Sequence, residues 1–144
     1  MSTKILVVDD EQDMVELLAW NLKERGYQVL TAATGLEALN KARQHLPELI
    51  LLDLMLDGID GFSVCEILRD QPSTATVPVI IITALAGQIA RLNGLAAGAN
   101  DFVTKPFSPA ELMTRIERVL KAREERIRRM SDEGIDEFTN DRLG

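Results

Sequence analysis

Five polar groups capable of chemistry stand at the ends of the chain's most apolar runs. Asp9 and Asp10 follow Ile5 to Val8, Asp53 follows Leu49 to Leu52, Thr83 ends the run Val77 to Ile82, and Lys105, before Pro106, follows Phe102 to Thr104. Taken singly, each has a plain structural reading: an aspartate after a strand caps the next helix, and Lys-Pro makes a turn. Taken together, three carboxylates, a hydroxyl and an ammonium crowded at strand ends call for a cation among the acids. Sparse carboxylate oxygens with room for water suit Mg2+, which keeps part of its hydration shell and shares phosphate oxygens. A lysine beside it neutralises phosphoryl charge and a threonine hydroxyl donates a hydrogen bond, so the set suits a phosphoryl group. The chain has neither G-x-x-x-x-G-K-[ST] nor G-x-G-x-x-G to cradle a nucleotide. The phosphoryl group is therefore expected on Asp53 itself, by covalent transfer.

The elements that must position these groups are legible in the periodicity. The apolar runs, with a weaker one from Gln28 to Ala32, read as five strands, and amphipathic stretches lie between them. Met14, Leu17, Leu18 and Leu22 recur at helical steps before Gly26 stops the first helix, and Thr34 caps a second carrying Leu36, Leu39 and Ala42. The third helix covers about Gly61 to Arg69, the fourth about Gln88 to Ala97 with Gly98 as its stop. The fifth opens at Ser108-Pro109, with Glu111 at capping-box spacing. Alternating strands and helices make βαβ units, and right-handed crossovers give an α/β fold with a doubly wound parallel sheet. The continuous apolar character of "ILVV" and "VIIIT" fits strands buried on both faces. In such a sheet, sites form at the carboxyl ends of the strands, where the five groups stand.

Length and composition bound the rest. A chain of 144 residues holds one compact domain and a tail. The domain is expected over 1–122, and 123–144 as a helical extension or linker, partly flexible. Leu120, Ile127 and Met130 sit at near-heptad steps there before the pattern dissolves in an acidic end. No apolar run is long enough to span a bilayer, and no signal peptide precedes the first strand, so a cytoplasmic location and no membrane association are expected. A formal net charge of -7 argues against direct nucleic-acid binding by this chain. The single Cys65 reads as a small buried hydrophobe, and the single His45 as a helix-end residue outside any metal cluster.

The motifs "VVDDE", "LLDLMLDGIDG", "IIITA" and "GANDFVTKPF", with 30 residues from Asp53 to Thr83 and 22 from Thr83 to Lys105, resemble the receiver domain of two-component response regulators. The resemblance runs from about Lys4 to Leu120. It implies a flavodoxin-like, CheY-like sheet of order 2-1-3-4-5 with five helices, the last extended. It implies that Asp53 accepts a phosphoryl group from a histidine kinase, so that the protein is a self-phosphorylating switch rather than an enzyme of external metabolites. Asp9, Asp10 and Asp53 would hold Mg2+ with the backbone carbonyl of Met55, and Lys105 would pair with the phosphoryl oxygens. Thr83 would swing to the phosphoryl group, and Phe102 would turn inward behind it. The face made by the fourth helix, fifth strand and fifth helix would then change for an output domain or partner. The Lys105-Pro106 bond is expected to be cis.

Two departures stand out. Asp57 occupies a position where the family often has proline, and reads as a turn residue before Gly58. Met55 and Leu85, two after Asp53 and two after Thr83, are apolar where the family tunes attack by water, so a long-lived phosphoryl group is expected. Transcription-factor members pair through the switching face with exchanged salt bridges, and Arg91, Asp101, Glu111, Arg115 and Arg118 are suitably placed for a homodimer; Ala97 and Asn100 weaken the match. An aspartyl phosphatase of the haloacid-dehalogenase kind would want an acid at position 55, where this chain has Met. A receiver-shaped scaffold without phosphorylation would not need the full set of acids, Thr83 and Lys105. The output stays open between a DNA-binding domain, a cyclic-dinucleotide enzyme and a stand-alone regulator. The adjacent aspartates repel each other, so stability is expected to rise when metal binds.

Overall fold

The computed structural model describes residues 2–143, with side chains to Asp132. Five strands, β1 (Lys4–Val8), β2 (Gln28–Ala32), β3 (Leu49–Leu52), β4 (Val79–Thr83) and β5 (Asp101–Thr104), alternate with α1 (Gln12–Glu24), α2 (Gly35–His45), α3 (Gly61–Asp70), α4 (Gln88–Ala96) and α5 (Pro109–Leu143). All neighbours pair in parallel, in the order β2-β1-β3-β4-β5. Chain order reverses beside β1, which sits between β2 and β3, and there β1 and β3 run in register from Ile5 opposite Leu49 to Val8 opposite Leu52.

The period-two rule divides each strand between two cores. Leu6, Val8, Ile50, Leu52, Val79 and Ile81 pack with Ala38 and Leu39 of α2 and Val64, Cys65 and Leu68 of α3. Ile5, Val7, Leu49, Leu51, Ile80 and Ile82 pack on the opposite face with Val15, Leu18 and Leu22 of α1 and Leu112, Met113 and Ile116 of α5. Burial on both faces explains why the central strands are continuously apolar rather than alternating. Cys65 is a fully buried free thiol, and burial pushes its pKa up, so it is inert.

Helix ends follow their residues. Thr34 Oγ1 accepts from the Glu37 N–H at 3.2 Å, and Ser108 Oγ accepts from the Glu111 N–H at 3.4 Å. Glu111 does not close a capping box; its carboxylate pairs instead with Arg115 at 3.2 Å, one turn on. Gly26 and Gly98 end their helices with φ of +87° and +111°, a region that disfavours residues with a Cβ.

The periodicity readings at Leu17, Leu36 and Val77 are corrected, while the extended last helix is as expected. Leu17 and Leu36 are exposed, because the sheet-facing stripe of α1 is set by Val15, Leu18 and Leu22, and that of α2 by Ala38, Leu39 and Ala42. β4 begins at Val79 rather than Val77, since Pro78 has no N–H for the ladder and enters only as an acceptor, its carbonyl taking the Ile50 N–H at 3.0 Å. α5 is continuous through the stretch read as an extension. The expected flexibility of that stretch falls largely on residues whose side chains lie outside the described set. Among the described residues no helix is long and apolar enough to cross a membrane.

Candidate functional site

Because all five strands run the same way, their carboxyl ends open on one edge, and parallel register brings the ends of β1 and β3 side by side. Asp9 N donates to the Ala32 carbonyl and Asp53 N to the Val8 carbonyl, each at 3.0–3.1 Å, so both aspartates are fixed by the sheet ladder itself. Their carboxylates are 3% and 4% exposed, whereas Asp10, the next residue out, faces solvent. Oxygen atoms of Asp9, Asp10 and Asp53 all lie within 4.8 Å of one another, an arrangement able to hold a metal ion.

Two buried carboxylates at this spacing are tolerable only with compensation. Lys105, from the end of β5, supplies it. Its ammonium donates to Asp9 Oδ2 at 2.8 Å and to Asp53 Oδ2 at 2.9 Å. The remaining oxygens accept backbone N–H groups: Asp9 Oδ1 from Glu11 at 2.9 Å, Asp53 Oδ1 from Met55 at 3.0 Å. Burial pulls the Lys105 pKa down, but hydrogen bonds and charges from Asp9 and Asp53 outweigh it, and the net shift is upward. The Lys105-Pro106 bond is cis, as expected.

The loop after β3 is held tightly at both ends. Asp60 caps α3, its Oδ1 accepting from the Ser63 N–H at 3.0 Å, and that bond is the main cause of its lowered pKa. A Cβ on Gly61 would lie 2.5 Å from the Asp53 carbonyl oxygen and 2.6 Å from Leu54 Cα, so only glycine lets α3 approach the backbone of Asp53 and Leu54. Between these anchors the loop lines an open cleft of about 710 Å³ with Asp10, Glu11, Asp53, Met55, Asp57 and Asp60. Asp57 thus adds a carboxylate to the cleft, outside the metal-competent trio. Asp60 escaped the sequence reading, although an aspartate three residues before Ser63 is a capping signal.

Thr83, at the end of β4, is fully buried, and its Oγ1 accepts from the Leu85 N–H at 3.3 Å. Phe102 is buried too, and its ring meets Gly94 of α4, where an added Cβ would come within 3.1 Å of it. The ring is therefore already inward, and the outward position from which it was expected to turn is not the one this structure holds. Met55, which lines the cleft, and Leu85 are both exposed.

Four of the five charges expected to serve a homodimer are engaged within the chain. Arg115 bonds both oxygens of Asp101 at 2.9 and 3.0 Å, as well as Glu111, and Arg91 donates to the Phe102 carbonyl at 3.4 Å. Arg118 has no carboxylate within salt-bridge distance among the described residues. Sequence reasoning also missed Arg69 of α3. Its guanidinium donates to the carbonyls of Gly98 and Val77 and to Asn100 Oδ1 at 2.6–3.1 Å, tying the loops before β4 and β5 together.

Comparison with known proteins agrees with this geometry. A family model described as the response regulator receiver domain matches residues 5–117. The chain is 46% identical over 124 residues to the alkaline phosphatase synthesis transcriptional regulatory protein PhoP of Bacillus subtilis, covering 86% of this chain and 51% of that one. It is 48% identical over 116 residues to the response regulator PleD of Caulobacter vibrioides, covering 81% of this chain and 26% of that one. It thus spans about half the length of the first relative and about a quarter of the second. A solved CheY-like receiver domain protein from Methanospirillum hungatei superposes with a TM-score of 0.82 at 28% identity, covering 88% of this chain and 99% of that one.

Proposed function

Because the chain belongs to the response regulator receiver domains and so serves two-component phosphorelay signalling, we propose that Asp53 is its phosphoryl acceptor. The observation that carries this is the buried pair Asp9 and Asp53 bridged by one ammonium, with Asp10 beside them at the open end of the sheet. The donor is a phosphohistidine on a histidine kinase. A bond forms between an Asp53 carboxylate oxygen and phosphorus, the P–N bond breaks, and its electron pair returns to the imidazole. Lys105, already charged and within reach of Asp53, holds the phosphoryl oxygens as they leave the donor.

An all-oxygen set with an exposed member fits a hard divalent cation. Asp9, Asp10 and Asp53, with the Met55 carbonyl, would hold Mg2+, which when bound neutralises charge on the phosphoryl oxygens. Thr83 sits at the neighbouring strand end, where its hydroxyl can move from the Leu85 N–H to a phosphoryl oxygen. Phe102 fills the space behind it, so phosphorylation locks an inward ring rather than creating one. The face of α4, β5 and α5 then presents a fixed surface to an output domain or partner, with the stretch of α5 after residue 122 as the linker.

That face carries exposed Ile89, Leu92 and Leu95 on α4, which supports homodimerisation with Asp101, Glu111 and Arg115 exchanging their internal bonds for intermolecular ones. A monomeric beryllofluoride complex would refute the dimer. The protein works in the cytoplasm, where its kinase presents the phosphohistidine. Incubation with acetyl phosphate and Mg2+ followed by intact mass tests the central reading. One stable added phosphoryl group, lost in Asp53→Asn, supports it; turnover without a retained group indicates a phosphatase, and no addition indicates a scaffold.

A further inference from the structure

At the opposite end of the sheet from Asp53 the chain has a second concave surface, and its charge is inverted. A cavity of about 270 Å³ lies where the amino ends of β4 and β5 meet α5, lined by Pro78, Asn100, Arg118, Val119, Ala122, Arg123 and Arg126. Strands of four and five residues separate it from the aspartate cleft by about 15 Å. Three arginines therefore line one small hollow in a chain whose formal net charge is -7.

An ordinary solvated helix face would intersperse acids. Here no Asp or Glu stands three or four positions from Arg118, Arg123 or Arg126, whereas Glu117, Glu124 and Glu125 each have Lys121 or Arg128 at such a spacing. Among the described residues, neither Arg118 nor Arg123 has a carboxylate within 4 Å. Arg126 reaches only the Thr76 carbonyl, at 3.5 Å. Ala122, between Arg118 and Arg126 on the same face, leaves open the space a longer side chain would fill. Asn100 completes the rim. Its amide oxygen is occupied, accepting from the Val79 N–H at 2.9 Å and Arg69 at 3.1 Å, so its NH2 remains as a donor. Like-charge crowding registers at Arg69, whose pKa is depressed by burial first, with Arg126 adding to the effect and Cys65 opposing it. A bound anion relieves this crowding by supplying the missing negative charge.

We propose that this cavity binds a small phosphate-bearing anion of the size of a diphosphate, alone or as part of a nucleotide. Guanidinium forks match phosphate oxygens two at a time, and a diphosphate brings the several negative charges that three arginines neutralise in a volume too small for a whole drug-sized ligand. A single glutamate side chain would leave most of that charge uncompensated. The apolar floor of Pro78, Val119 and Ala122 offers a nucleoside little more than an edge, so the phosphates carry the recognition. Because Arg69 and Asn100 hold the loops before β4 and β5, the ligand sits on the strands that end in Thr83 and Lys105.

The test titrates the 144-residue chain, without Mg2+, with inorganic pyrophosphate, ADP and a hexaglutamate peptide in parallel, following backbone amides and arginine side chains by NMR. Saturable sub-millimolar pyrophosphate binding at physiological ionic strength is expected. The shifts should centre on Val79, Asn100, Ala122 and Arg123 rather than on Asp9, Asp53 and Lys105. Equal affinity for ADP shows that the phosphates alone are read, and tighter ADP binding adds a nucleoside contact; either supports the site. Arg123→Gln with Arg126→Gln should weaken binding at least tenfold with the remaining spectrum intact, and Arg123→Lys should fall between. The proposal is overturned if hexaglutamate binds more tightly than pyrophosphate, if the double variant binds unchanged, or if potassium chloride of equal ionic strength reproduces the shifts.

Discussion

Replacing Lys105 by Met removes the ammonium but keeps most of the apolar stem, so it isolates the charge that bridges Asp9 and Asp53. Removing one partner of a buried ion pair costs about 3–5 kcal/mol, because the other charge is left uncompensated. Here the two carboxylates keep backbone donors, from Glu11 and Met55 at 2.9 and 3.0 Å, and exposed Asp10 admits water beside them. These place the cost at the lower end, about 3 kcal/mol, or roughly a 10 °C fall in Tm for a chain of this size. The same change empties the site of its resident cation. Mg2+ should therefore stabilise Lys105→Met more than the wild type, the gain growing as RT ln(1 + [Mg2+]/Kd). The Lys105 pKa is raised above its ordinary 10.5 in the folded state. Its contribution is thus complete below that pH and is lost as pH rises through the raised value, where the wild-type and variant curves converge. Urea denaturation of both proteins, with and without Mg2+ and across alkaline pH, measures all three effects. A loss below about 1 kcal/mol, or an equal Mg2+ gain in both proteins, would refute the account of one ammonium compensating two buried acids.

Four further outcomes follow from the same geometry. Asp60→Ala should cost about 1 kcal/mol at neutral pH, the usual worth of an N-cap. Asp60 has a lowered pKa, so its contribution is present above the ordinary 3.8 and lost as pH falls through the folded value; a gap to wild type that persists at acid pH would contradict the cap. Gly61→Ala forces a Cβ against the Asp53 carbonyl and should slow phosphorylation by acetyl phosphate beyond its effect on stability, which paired intact-mass kinetics and melting curves separate. The acyl phosphate should outlast minutes, since exposed Met55 and Leu85 cannot orient a hydrolytic water. Met55→Asn should shorten it; wild-type loss within seconds would sink the idea. Gly94→Ala presses on the Phe102 ring and should shift its aromatic proton resonances without touching Asp53, and an unchanged ring spectrum would show the packing to be looser than described.

The fold and the site were legible to different depths, and the difference has a physical origin. Strand positions and the topology of the acidic edge follow from local rules: apolar runs buried on both faces, turn residues at their ends, and parallel connections that send every strand's carboxyl end the same way. Those rules place Asp9, Asp10, Asp53, Thr83 and Lys105 on one edge without any knowledge of distances. They do not say which groups touch. That one lysine would bond two aspartates 44 residues apart in sequence depends on the register of β1 with β3 and on how far a four-carbon stem reaches from β5. Leu17 and Leu36 were misread for a related reason, since helical period fixes which residues share a stripe but not which stripe meets the sheet. Arg69 was invisible because its five acceptors are carbonyls and an amide contributed by loops, and carbonyls leave no mark in a sequence.

The same reasoning separates the two ends of the sheet. At the carboxyl end, buried acids are balanced by a lysine from within the chain, and their oxygens are spaced to take a metal ion. At the amino end, α5 brings Arg118, Arg123 and Arg126 to Pro78 and Asn100 with no acid paired to them among the described residues. A hollow that costs repulsion when empty is stabilised by whatever anion fills it, and β4 and β5 connect that hollow to Thr83 and Lys105 over about 15 Å of rigid ladder. If both ends bind, linkage requires each ligand to alter the other's affinity by the same factor wherever the strands couple them. Measuring pyrophosphate affinity with and without beryllofluoride at Asp53 gives that factor directly. A ratio of one would mean that the strands hold two independent sites, and that Arg69 and Asn100 fix the loops without transmitting anything between them.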